Sequence, residues 1–192
     1  MNTLQHALKE WAVVCHALAD GRQSLLLRKG GIAEKAGQFQ VEHERFWLFP
    51  TYVHQQKEGI VPEAAMLLEQ AEAERPPPGI VRLTHFADTA AIYHSHDLYT
   101  VEKLAGLHCW SPETVQARFT YRGLGLFVLA VRVYRSAETF DVADKEEYAG
   151  CRSWVELDRA LPTEGATPVM EEEAFADVLR TLDRVLEPTA FA

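Results

Sequence analysis

Between Arg28 and His54 the sequence crowds together the residue types that handle phosphate, protons and metal ions. The apolar run Leu25–Leu27 leads into Arg28-Lys29-Gly30-Gly31. Adjacent cations suit phosphate or carboxylate oxygens, and paired glycines let a backbone approach a ligand or take positive φ. Beyond them come Glu42-His43-Glu44-Arg45, Trp47, Tyr52 and His54. Histidine moves protons near neutrality and ligates metals, so Glu42, His43, Glu44 and His54 form the candidate catalytic set of a metal-dependent phosphoesterase or nuclease. Arg28, Lys29 and Arg45 are candidates to neutralise phosphate, and Trp47, Tyr52 or Trp110 to stack on a base. Arg118 and Arg122, four apart in a helical pattern, lie on one face and can close over the same ligand. The same residues also admit a purely structural reading, with Arg28 and Lys29 paired to Glu34 or Glu42 and the tryptophans in the core.

These residues need a scaffold. Leu4–Lys9 reads as a short helix, and Trp11–Leu18 with Gln23–Arg28, around Asp20-Gly21, as a β-hairpin. Phe46–Val53 is a third strand, and Pro62–Arg75 a helix of strong helix formers closed by Pro76-Pro77-Pro78-Gly79. Ile80–Phe86 and Ala90–His94 are short strands, and Val101–Gly106 is helical. Ser111-Pro112-Glu113 opens another helix, with serine as cap and proline at the first position. Leu124–Arg135 is apolar nearly throughout and belongs at the centre of a sheet. Cys151–Val155 precedes a short helix, and Glu171–Leu186 closes as an amphipathic helix. This order predicts an α+β fold, a mixed sheet flanked by helices, in one domain over residues 1–192 with a helical insertion at about 97–123.

Composition narrows the function classes. At 192 residues and 47% hydrophobic the chain can bury a sizeable core. It has no apolar run long enough to span a bilayer and no secretory signature at the start, which predicts a cytoplasmic protein without membrane partners. Cys15, Cys109 and Cys151 are far apart and without a C-x-x-C pair, so reduced, buried thiols are expected. The net charge is −9, but residues 136–192 carry 14 acidic and 5 basic side chains while residues 1–135 carry 14 of each. A phosphate-binding surface on the first two thirds is therefore compatible with the charge, whereas a large duplex footprint is not favoured. Asp141–Glu147 and Glu171–Glu173 offer an acidic face to a basic partner. His94 and His96, on one strand face beside Asp97, form a second possible metal pair. There is no H-E-x-x-H, G-x-S-x-G, G-x-G-x-x-G or P-loop.

The words ALKEWAVVCHAL, LLLRKGGIAE, EHERFWLFPTYVHQ and YAGCRSWVEL resemble the bacterial domain-of-unknown-function family 1802, over nearly the whole chain. That resemblance implies no particular activity. A second one is to the Nudix fold: hairpin, a strand ending Trp47-Leu48-Phe49-Pro50, a glutamate-bearing helix, a central strand over Phe127–Tyr134, and Cys-Arg-Ser-Trp-Val-Glu-Leu before a short helix. Nudix hydrolases hold magnesium on a run of helical glutamates. Here Thr51-Tyr52 stands in place of the paired glycines, Leu68 in place of the arginine and Ala73 in place of one glutamate, leaving Glu69 and Glu72 as candidate ligands for Mg²⁺ or Mn²⁺. The resemblance thus implies a catalytically altered relative.

The reading that follows is a nucleotide- or nucleic-acid-phosphate-binding domain, its partner a phosphate-bearing small molecule or a single-stranded nucleic acid. The metal-dependent phosphoesterase with the 42–54 cluster is the first alternative, and a protein-interaction module using the acidic last third is the second. Oligomeric state is left open.

Overall fold

The computed structural model describes residues 2–29, 41–53, 55–150 and 152–186. Gly30, Gly31, Glu34, His54 and Cys151 therefore lie outside the described residues.

Seven strands form one mixed sheet: β1 (Thr3–Trp11), β2 (Leu25–Arg28), β3 (Arg45–Thr51), β4 (Ile80–Ser95), β5 (Leu126–Ala143), β6 (Trp154–Pro162) and β7 (Thr167–Pro168). Among the described residues five α-helices flank it: α1 (Ala12–Ala19), α2 (Ala65–Ala73), α3 (Leu98–Glu102), α4 (Pro112–Thr120) and α5 (Glu172–Val185). The α+β class with a mixed sheet is as expected. The spatial order is β2-β5-β4-β3-β1-β6, with β7 on the edge of β5 beyond β2. β1 and β3 run parallel, with Ala7 opposite Trp47 and Trp11 opposite Thr51, and every other pairing is antiparallel. Their carboxyl ends, Glu10-Trp11 and Pro50-Thr51, consequently lie side by side.

Strand alternation sorts the core into two faces. Leu8, Phe46 and Leu48 pack with α1, α2 and β5, while Ala7, Trp47 and Phe49 join Leu83, Phe86, Val155 and Leu157 in a second cluster. No helix among the described residues is long and apolar enough to cross a membrane.

The amino-terminal third departs from expectation. Leu4–Lys9 is strand, because β1 is paired along both edges, and paired edges outweigh the helix propensity of Ala, Leu, Lys and Glu. Ala12–Leu18 is helix, not the first arm of a hairpin. Six of the eight residues of α1 are buried, and a short segment apolar on nearly every side suits a helix packed under neighbours. The hairpin that carried the Nudix-like order is thus strand, helix, strand. Residues 157–162 extend β6 rather than forming a short helix. Ile80–Ser95 is one strand, with register shifts at Leu83/His85 and Thr89/Ala91, the second falling at the expected break. Helix α4, with Ser111 Oγ accepting from Thr114 N, and the amphipathic α5 match their sequence patterns.

Candidate functional site

Two of the singled-out cations, Arg28 and Arg118, meet beside Glu10 at the carboxyl end of β1, and a third, Lys29, holds a neighbouring turn. Glu10, the penultimate residue of β1, is buried, and its Oε2 accepts from Arg28 Nη1 at 3.1 Å while Oε1 accepts from Trp11 N at 2.9 Å. Arg28 also donates to Lys9 O at 3.1 Å. Its neighbour Lys29 gives its ammonium to three carbonyls, Phe119 O at 3.2 Å, Gly123 O at 2.9 Å and Gly125 O at 2.7 Å. Arg118 comes over from α4, donates to Leu27 O at 3.1 Å, and lies 3.7 Å above the Trp110 ring. Trp110 meets Trp11 edge-on at 4.6 Å.

The electrostatics follow from burial. Desolvation pulls the Lys29 and Arg118 pKa values below their ordinary range, with Glu10 opposing and Arg28 reinforcing the shift at Arg118. Burial likewise takes His108 down to about 4, with Arg118 adding to the shift, and Cys109 up to about 12. Cys15 is also raised, first by burial and then by Glu10. Both thiols are reduced, buried and protonated at neutral pH, as expected from their spacing, and are poor nucleophiles. The Trp110 Nε1–H is buried without a hydrogen-bond partner among the described residues.

The site's frame is tightly built. Thr51 Oγ1 donates to Glu10 O at 3.0 Å, and Gln55 Oε1 accepts from Val13 N at 2.8 Å, occupying one of the first amides of α1. Gly59 backs the Trp11 ring so closely that a Cβ there would stand 2.8 Å from it.

The other sequence candidates go elsewhere. Arg45 lies at the amino end of β3, the opposite end from Thr51, and forms a two-pronged pair with Asp88, one prong at 2.6 Å. It does not join Arg28. Trp47 is fully buried and donates from Nε1 to Leu4 O at 3.0 Å, so it is core and not a stacking platform. Tyr52, under Arg75 at 4.7 Å, lines a separate cleft of about 340 Å³ between α1, α2 and the sheet, with His16, His85 and Arg135. Arg122 lies past the end of α4 with φ of 55°, so it does not share a helix face with Arg118, and its guanidinium sits 5.1 Å from the Tyr121 ring.

The proposed metal residues are likewise dispersed. His43 stacks on His6 at 3.5 Å beside Trp154, and burial followed by the His6 charge lowers its pKa. Glu42 and Glu44 are exposed, as is Glu69, and Glu72 Oε1 accepts from Gln55 Nε2 at 2.8 Å. His94 and His96 stand 4.2 Å apart, with His94 flat on Phe127. Among the described residues no three His, Cys, Asp or Glu side chains group as metal ligands. Parts of the acidic third are internally paired: Asp141 with Arg82, Asp158 with Lys145, Glu172 with Arg132.

Sequence reasoning missed Glu10, Trp11 and Gly59. The available signal was a glutamate lodged directly against the uninterrupted apolar stretch Trp11–Cys15, where a charge has to find a partner.

Residues 7–181 match the family described as Domain of unknown function (DUF1802), and the chain belongs to that family. No curated protein matches it. Among solved structures it is similar to ASCH from Zymomonas mobilis, at 13% identity and TM-score 0.41 over 92% of this chain and 94% of that one. Two mutants of ZmASCH are similar too. The tyrosine-to-phenylalanine form has 12% identity and TM-score 0.44 over 92% and 96% of the two chains. The serine-to-alanine form has 14% identity and TM-score 0.41 over 92% and 94%.

Proposed function

We propose that this domain binds a phosphate-bearing ligand, a nucleotide or a nucleic-acid phosphate, at the carboxyl ends of β1 and β3. One observation supports the reading above others: Arg28 and Arg118 come together from β2 and α4 around Glu10, while Lys29 beside Arg28 adds a cation on the adjoining turn. These cations lie in the part of the chain, residues 1–135, whose 14 acidic and 14 basic side chains balance, so the net charge of −9 does not oppose an anion there. Half-buried cations attract an anion more strongly than exposed ones, because the medium around them screens less. Trp110 is fully buried beneath Arg118 and meets Trp11 edge-on, so the two indoles hold the guanidinium in place rather than offering a stacking face. The site belongs to a single domain over residues 1–192, with the helical segment at about 97–123 inserted to carry Trp110 and Arg118.

The test is a thermal-shift series with inorganic phosphate, nucleoside mono-, di- and triphosphates, each with and without Mg²⁺ and Mn²⁺. The partner variant is Arg118→Met, which removes the charge and keeps an unbranched side chain on Trp110. Wild type gains stability with at least one phosphate-bearing ligand, as binding to the folded state alone requires, without need of metal, and the variant loses that gain. Absence of any shift in wild type refutes the reading, and a shift that needs metal favours the phosphoesterase.

A further inference from the structure

The turn that Lys29 holds is an exposed surface with unusual chemistry. Five large hydrophobic side chains are exposed among the described residues: two of them, Tyr121 at 49% and Leu124 at 65%, stand on this turn, and a third, Tyr99 at 68%, stands on α3, which follows the β4 end that meets the turn. Each tyrosine has a cation over one face, Lys103 Nζ at 4.5 Å from the Tyr99 ring and the Arg122 guanidinium at 5.1 Å from Tyr121. The exposure leaves the opposite faces open to solvent.

The backbone of this turn is held in a costly conformation. Arg122 is the one non-glycine residue with positive φ among the described residues, and Gly123 and Gly125 follow at 124° and 120°. An arginine in the left-handed region costs of the order of 1 kcal/mol, and such outliers cluster at binding sites. Three carbonyl contacts from Lys29 fix the turn, and His96 Nδ1 lies 3.2 Å from Leu124 O, tying it to the end of β4 and hence to α3. A Cβ on Gly125 would stand 3.0 Å from both His94 and His96, so the close approach needs glycine. Asp97, the carboxylate at the start of α3, is spent on the Tyr99 and Thr100 amides.

Resting on the phosphate-binding reading, we infer that its ligand is a single-stranded nucleic acid, which runs from the Arg28–Arg118 site across this turn with bases stacked on Tyr121 and Tyr99. Alternating cations and open aromatic faces are what a flexible strand requires, since every base has a π-face and every linkage a charge. A mononucleotide would leave this surface unused, and a duplex would keep its bases away from the rings.

The experiment is fluorescence anisotropy of labelled U12 RNA and dT12 DNA, with uridine monophosphate and a 12-base-pair duplex as competitors. It is run on wild type, Tyr121→Ala, Tyr99→Ala and Arg118→Met, beside the thermal-shift series. Either single strand binds wild type more tightly than the mononucleotide does, the duplex competes poorly, and each tyrosine variant weakens strand binding by about tenfold, the value of one stacked base. The mononucleotide shift survives in the tyrosine variants and is lost in Arg118→Met. Both tyrosines are exposed, so the alanine variants fold. A nucleotide shift with no tighter strand binding, strand binding indifferent to both tyrosines, or equal competition by duplex overturns the inference while the phosphate reading stands. Absence of any shift and of any strand binding overturns both.

Discussion

Arg28 and Arg45 each face a carboxylate, and the sequence presents them as equals, but the molecule uses them differently. Arg45 and Asp88 are a one-to-one pair at 47% and 30% side-chain exposure, complete in itself. Arg28 and Glu10 are 11% and 3% exposed and stand beside Arg118, so the pair is part of a larger buried group. A solvated pair of the first kind is worth little. In the second kind, removing one partner strands a charge in low dielectric. Burial, rather than the pairing itself, separates a surface ornament from a group that can act on a ligand.

The sharpest way to break this comparison is to delete each carboxylate. Glu10→Ala is expected to cost roughly 3–5 kcal/mol in urea denaturation, the usual penalty for an orphaned buried charge. A loss below about 1 kcal/mol would show that water reaches Arg28 and that the two pairs are alike.

Acid provides the next effect. Burial depresses His108 and His85 to about 4, helped by Arg118 at the first and by Arg135 and His16 at the second. Above about pH 7.5 both imidazoles are neutral in the folded and unfolded chain, and neither contributes pH dependence. As pH falls from 6.5 toward 4, the unfolded chain takes up protons that the folded one resists, and stability drops by up to roughly 3 kcal/mol per histidine. Denaturation midpoints measured from pH 7 to 4 check this. Arg118→Met should recover part of the loss by removing a repelling charge from His108, whereas Arg45→Met should leave the acid profile unchanged.

Packing gives a smaller difference. Gly59→Ala drives a methyl into the rigid Trp11 ring beside the site, and overpacking of this kind costs about 1–3 kcal/mol. At the other end of the scale, Asp88→Ala should lower stability by less than about 1 kcal/mol, measured in the same urea series.

How much of this was legible in the sequence depends on what each signal reports. Ser111-Pro112 gave α4 because a cap is local chemistry, and Leu124–Arg135 gave the central strand because an apolar run of that length needs both faces covered. Trp11–Leu18 misled because β-branched residues and burial on every side produce the same string of letters in a buried helix. Arg28, Lys29 and Arg118 were legible as residue types, but their partners were not. Glu10 lies 18 positions from Arg28, and the Lys29 contacts are with carbonyls 90 to 96 positions away, which no sequence spacing records. Arg45 was misplaced for the same reason: nearness in sequence to Arg28 says nothing about which end of a strand a residue occupies.

The first strand of the chain, β1, sits between β3 and β6, with Ala7 opposite Trp47 on one side and Val155 on the other. On a ribosome, one edge of that strand stays open until Trp154–Pro162 has been synthesised. At about 5–20 residues per second the gap lasts several seconds. During that time the Thr3–Leu8 edge of β1 is unpaired, making it the part of the nascent protein that most needs shelter from stray strands.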